Sequence, residues 1–323
     1  MKATLIATLC TLPWIMNSIA ADWERLAPLP EPKGGFICGA VDGHIVVAGG
    51  TNWKDDTKRW LTRIDAYDPK SNAWRETGTL ATPLAYAATG GHAGALWLAS
   101  GSSGAKTQTE IWKIDRSLEP KKAFTLGSGF VLAGSAVIGP SLYVLGGTDD
   151  MDHLERATNA FLAIDLGSGN VTTLPDFPGP AFMIGATAAC GDRFFAFGGA
   201  RWDATTGAVA NVASAHAFNT KTRQWEKLTP LPFAVRGITA LTLDDTHILL
   251  VGGYKNDAEE FTDEAFIYDV VSGKYTGTQP LPYGAMVSLV KFGAWIYCLG
   301  GEDRKKHRTD AALRIRWKDL LPR

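Results

Sequence analysis

The sequence predicts an all-β chain: a six-bladed β-propeller whose ring is closed by the N-terminal strand completing the last blade. Three observations predict it. A glycine pair, or a near equivalent, recurs six times at similar spacing; a short apolar strand precedes each pair; and the two chain ends carry complementary fragments of one repeat.

The pairs are Gly49-Gly50, Ser100-Gly101, Gly146-Gly147, Gly198-Gly199, Gly252-Gly253 and Gly300-Gly301. Successive second glycines lie 51, 46, 52, 54 and 48 residues apart. The runs before them include Ile45-Val46-Val47, Leu96-Trp97-Leu98, Phe194-Phe195-Ala196 and Trp295-Ile296-Tyr297. Runs this short, rich in β-branched and aromatic residues and bounded by turn formers, read as strands. A repeat near 50 residues holding several such strands is of the kelch type.

After each pair comes a polar loop and then a third strand, as in Ile64-Asp65-Ala66-Tyr67 and Phe266-Ile267-Tyr268. Most of these run into Asp or Asn with Pro, Gly or Ser close by, which are turn residues. A fourth strand often opens on an aromatic and leads to a proline-rich exit. Trp74 to Leu84 is one; Trp225 before Pro230-Leu231-Pro232 and Tyr275 before Pro280-Leu281-Pro282 are others, while two repeats carry Phe124 and Val171 instead.

The last repeat stops after its third strand, at Trp317. Trp23-Glu24-Arg25-Leu26, followed by Pro28-Leu29-Pro30, repeats the Trp225–Pro232 pattern and supplies the missing fourth. Closure of this kind leaves no exposed sheet edge. Residues 21–323 are therefore expected to form a single propeller domain.

Residues 1–20 read as a secretory leader. Lys2 gives a positive start, Leu5 to Ile15 an apolar stretch, and Ser18-Ile19-Ala20 the small residues of a cleavage site after Ala20. The expectation is export, to a periplasm or out of the cell. Hydrophobic content of 46% against 20% charged residues describes a globular chain, and a net charge of -1 provides no global field for nucleic acid or anionic membrane. No later segment reaches transmembrane length. Cys38, Cys190 and Cys298 each lie in a strand-like apolar run and are expected to be buried small hydrophobes.

Successive connections in a four-stranded blade alternate between the two faces of the disc. The loops after the glycine pairs thus share one mouth of the central channel with the segments leading into each first strand. That mouth collects Asn52, Trp53, Lys58, Tyr86, Arg156, Arg201, Arg236, Tyr283, Glu302, His307 and Arg308. Aromatics beside charged and amide groups suit a polar, ring-shaped ligand such as a sugar, of the kind held by a few placed polar groups.

Several local segments resemble one family. Gly49-Gly50-Thr51-Asn52-Trp53, Pro83-Leu84-Ala85-Tyr86, and Gly301-Glu302 through Arg308-Thr309, set in a six-bladed kelch pattern, are similar to the N-acetylneuraminate epimerase (sialic acid mutarotase) family. The placing of the last segment near the C-terminus resembles its circularly permuted branch. The resemblance implies an acidic sugar as substrate, Glu302 as the catalytic glutamate and Arg308 as a ligand for the substrate carboxylate.

Interconverting the anomers of a cyclic sugar needs one base for the anomeric hydroxyl and one acid for the ring oxygen, without metal or organic cofactor. Glu302 could serve as base, and His307 or a water as acid. Arg308 could grip a carboxylate in bidentate fashion. Asn52, Trp53, Tyr86, Arg201 and Arg236 would supply further substrate contacts. Taken alone, Glu302 and Arg308 also fit a solvated ion pair in a charged surface loop. Two other functions compete. A copper radical oxidase is disfavoured, because His44, His92, His153, His216, His247 and His307 are scattered without paired ligand motifs. A non-catalytic propeller binding carbohydrate or protein fits the same fold.

Overall fold

Six four-stranded antiparallel sheets stand in a ring in the computed structural model, which describes residues 22–322. The leader-like residues 1–20 lie outside the described residues. In the first blade Ile37–Val41 is innermost, followed outward by His44–Ala48, Arg63–Asp68 and Ala73–Thr79. Trp74 lies at the start of the fourth strand, Ala73–Thr79, which leads into the Pro83-Leu84 exit as expected. The next four blades repeat the order, and neighbouring innermost strands touch all the way round, Met286–Phe292 meeting Ile37–Val41.

The sixth blade joins both ends of the chain. Met286–Phe292, Trp295–Glu302 and Ala312–Arg316 are completed by Glu24–Arg25, with Glu24 opposite Arg314 and Arg25 opposite Leu313. Leu26 N donates to Ala312 O at 2.9 Å, Leu29 N donates to Asp310 O at 2.8 Å, and Arg314 Nε lies 2.8 Å from Glu24 Oε2. The expected closing strand is present. Among the described residues no helix is long and apolar enough to cross a membrane.

Each blade buries both faces, because six apolar clusters lie between successive pairs of blades. Phe161, Phe194 and Phe218 fill the space between the third and fourth blades; Leu249, Ile267, Ile296 and Leu313 fill that between the fifth and sixth. Each such side chain is worth ~1.5–3 kcal/mol in burial, which explains why the strands read as continuous apolar runs. The aromatic that opens a fourth strand has a second task. Trp74, Trp225, Tyr275 and Trp23 donate to the carbonyls of Ala27, Pro175, Thr229 and Pro280 at 2.8–2.9 Å, each tying its blade to the exit of the one before. Phe124 and Val171 have no polar atom to offer, so the second and third blades lack this tie.

On the mouth side, the segment leading into each of the first five blades bridges the residue after the glycine pair: Gly34 to Thr51, Ala85 to Ser102, Val131 to Thr148, Met183 to Ala200 and Arg236 to Tyr254. The next residue in each has positive φ. These are Gly35, Tyr86, Leu132, Ile184 and Gly237. Their amides form a chain along the lip: Tyr86 N to Gly35 O at 2.8 Å, Leu132 N to Tyr86 O at 3.4 Å, Ile184 N to Leu132 O at 3.0 Å, and Gly237 N to Ile184 O at 2.7 Å. Left-handed backbone costs a non-glycine residue ~1–2 kcal/mol, so three of these five positions are strained. The sixth blade lacks the turn; its two inner strands run on until Met286 pairs with Glu302, after a register shift.

Cys190 and Cys298 are buried free thiols of the interblade core, as expected, whereas the free thiol Cys38 is only half-buried against it. Burial pushes Cys38 and Cys298 up from 9.0 to about 12, outweighing a hydrogen bond to each. The folded protein therefore holds protons that the unfolded chain releases. Stability from these thiols is complete below pH 9 and lost as the pH rises towards about 12. The melting temperature is expected to fall between pH 9 and 11, and native protein at pH 8 should resist iodoacetamide until denaturant is added. Labelling of Cys298 in the native protein at the rate of a free thiol would contradict this.

Candidate functional site

The residue after each second glycine holds an equivalent bridged position in the six blades: Thr51, Ser102, Thr148, Ala200, Tyr254 and Glu302. Only Glu302 carries a charge. It stands at the end of the extended strand Trp295–Glu302, which lifts it to the lip. Arg308 returns beside it after a turn in which Arg304 bridges His307, and Thr309 N donates to Gly301 O at 3.0 Å.

The Arg308 side chain is only 5% exposed. Its Nη1 lies 2.9 Å from Glu302 Oε2 and donates to His307 O at 3.0 Å, whereas its buried Nε has no partner. Room for it comes from Gly34, where a Cβ would sit 2.7 Å from Arg308 Cδ. A guanidinium this buried is held by one carboxylate and one carbonyl, well short of its five donors.

Tyr86 faces the same space from the second blade. Its hydroxyl is 3.2 Å from Thr51 Oγ1, Lys58 Nζ lies 4.9 Å from its ring centre, and Trp60 meets it edge-on. Burial opposes ionisation of this phenol, but the Lys58 and Arg308 cations and the Thr51 hydroxyl outweigh it and hold it below the ordinary tyrosine value. Gly35 is glycine for a matching reason, since any side chain there would collide with the Tyr86 ring.

Glu302 and Tyr86 both line the channel, a cavity of about 230 Å³ to which Arg308 also contributes, and the wider mouth above it, about 700 Å³. Leu132, Ile184 and Met286 line both spaces. Met151, Leu154, Arg236, Tyr254 and Phe261 complete much of the mouth.

Of the residues the sequence nominates, Glu302, Arg308, Tyr86 and Arg236 converge. Arg236 is steered by Asn211 at 2.9 Å and lies over the Tyr254 ring. His307 does not line the cavity: its Nδ1 is taken by Asp303 and its Nε2 is 3.2 Å from Arg304, so the acid role expected of it has no geometry here. Asn52 donates to Glu31 at 3.3 Å, Trp53 lies beneath Lys306, and Arg201 pairs with Asp203 at 3.5 Å on the hairpin of Ala200–Asp203 and Ala208–Asn211. Those three side chains are absent from both cavity walls. Tyr283 is half-buried near Cys298, with desolvation raising its phenol. Arg156 sits among Asp149 and Asp150.

Sequence reasoning missed Gly34, Leu132, Ile184 and Met286. Their signal is positional: they fall at or beside the lead-in residue that each blade bridges to its glycine pair. It also missed Lys33. The matching residues in the next four blades are Leu84, Phe130, Phe182 and Val235, all core. Lys33 is 0% exposed, 3.4 Å from both Asp65 and Glu31, and Asp65 is itself 0% exposed and held by Arg63 at 2.6 Å. Lys33 O accepts from Gly301 N at 2.9 Å, so this buried network braces the backbone beneath Arg308.

Residues 34–80 match the Kelch motif family. The chain is 29% identical over 138 residues to a Kelch domain-containing protein of Vibrio cholerae, a match covering 42% of this chain and 36% of that protein. It is 24% identical over 280 residues to Kelch-like protein 35 of Mus musculus, covering 83% of this chain and 43% of the other. The chain thus spans less than half the length of these relatives. With six four-stranded blades around one axis, it is a kelch-type propeller.

Proposed function

We propose that this propeller is a binding module that takes a small, ring-shaped carboxylate, of the acidic-sugar type, in its channel mouth. The observation that carries the reading is Arg308: buried, incompletely satisfied, and beside the one carboxylate among six equivalent lip positions. A ligand carboxylate would take up guanidinium donors that the protein leaves free, and a buried charge-assisted bond of this type is strong. Tyr86 and Arg236 flank the anchor, and the Tyr86 ring offers an apolar face for stacking.

A second reading, anomer interconversion as the resemblance to the N-acetylneuraminate epimerase family implies, is favoured by one observation. Glu302 and Tyr86 both line the channel, a carboxylate base and a hydroxyl of lowered pKa. In that reading Tyr86 takes the acid role first expected of His307. Circular permutation of that family is part of the same proposal and stands or falls with it.

Titration calorimetry with N-acetylneuraminate and glucuronate tests the first reading; saturable binding at one site is expected, and flat isotherms for both would remove it. Anomer-resolved proton NMR tests the second. Acceleration of anomer exchange that Glu302→Gln abolishes would establish catalysis; binding without acceleration leaves a binding module.

A further inference from the structure

Taking the Arg308 anion anchor proposed above as given, we propose that the ligand carries, besides its carboxylate, an apolar aryl or short alkyl group received by Leu132 and Ile184. The placement of these residues is the first argument. Leu132 leads into the third blade and Ile184 into the fourth, which stand across the ring from the sixth and first blades that frame Arg308. A ligand held at Arg308 and extending across the channel meets them, and Met151 and Leu154 line the wider mouth beside them.

Backbone conformation is the second argument. Glycine suits the positive-φ position of the lead-in segment, and the chain uses it at Gly35 and Gly237, where a side chain would strike Tyr86 or Met286. Leu132 and Ile184 keep large side chains there at φ of 62° and 53°. A β-branched residue in this region is a genuine outlier, and strain of this kind persists where the side chain has a task.

Packing does not supply that task. Leu132, Ile184, Met286, Met151 and Leu154 belong to none of the six interblade clusters, and all five remain half-buried on the cavity wall. Apolar surface held at a conformational cost, outside the core and facing a cavity, is surface kept for a ligand.

The test is calorimetry on the full chain with glucuronate, phenyl glucuronide and neutral phenyl glucoside. Phenyl glucuronide is expected to bind at least about tenfold more tightly than glucuronate, from burial of its ring. The double variant Leu132→Gly/Ile184→Gly relieves the backbone, so it should melt no lower than the parent while the tenfold ratio collapses towards one. Equal affinities of the two acids for the parent protein, or a ratio that survives the double variant, would overturn the proposal. Phenyl glucoside binding as tightly as phenyl glucuronide would support the apolar subsite and remove the anion anchor. No binding of any of the three would overturn both.

Discussion

Exchanging Asp65 for alanine is expected to lower the melting temperature by ~5–8 °C. The change leaves Lys33 with no exposure and only Glu31, at 3.4 Å, as a charged partner. Removing one member of a buried ion pair costs about 3–5 kcal/mol, since the remaining charge has lost its water without recovering a partner. At ~2.1 cal/mol/K per residue, a domain of this size loses roughly 1.6 °C for each kcal/mol. The reverse expectation applies to the pair removed together. Lys33→Leu with Asp65→Leu copies the apolar residues that stand at the equivalent positions, such as Leu84 and Leu162, and should recover most of the loss. Thermal unfolding of the three variants decides the point. A double variant as unstable as Asp65→Ala alone would mean that the site needs charge there for a reason other than pairing.

Arg308→Ala is expected to weaken binding of acidic sugars by at least about 100-fold, the scale on which truncating a buried charged partner acts. The variant also leaves Glu302 without its 2.9 Å partner, adding a repulsive carboxylate to the mouth. Gly34→Ala offers a cleaner probe, because it adds a methyl group 2.7 Å from Arg308 Cδ at a position with no positive φ to strain. It should displace the guanidinium and weaken binding about tenfold, one well-placed charged hydrogen bond in magnitude. Calorimetry with glucuronate is the measurement for both. Full affinity in Arg308→Ala would dispose of the anion anchor, and full affinity in Gly34→Ala would show that the guanidinium has freedom the packing does not suggest.

The fold was legible because its signals are local and repeated. Glycine pairs or near equivalents recur six times, strand aromatics and proline-rich exits recur in most repeats, and the Trp23–Pro30 fragment could be recognised as a displaced member of the set. The site was legible only in part, because its positions break the repeat. Lys33 stands where the next four blades carry Leu84, Phe130, Phe182 and Val235, and a lysine in a proline-rich lead-in segment looks solvated until the fold covers it. Leu132 and Ile184 occupy a left-handed turn that only Gly35 and Gly237 announce. His307 and Arg308 are neighbours in sequence, yet a tight turn at Arg304–His307 sends one to the surface and the other to the channel. A run of charges contains no record of which member faces inward.

The closing strand has a consequence beyond hiding an edge. Gly34 and Lys33 come from near the start of the described chain and Glu302 and Arg308 from near its end, so the site does not exist until the two ends have met. A chain whose first and sixth blades have not packed together has the scaffold without the pocket around Arg308. By mass action, an anion bound between Arg308 and the opposite wall as proposed would resist reopening of the ring.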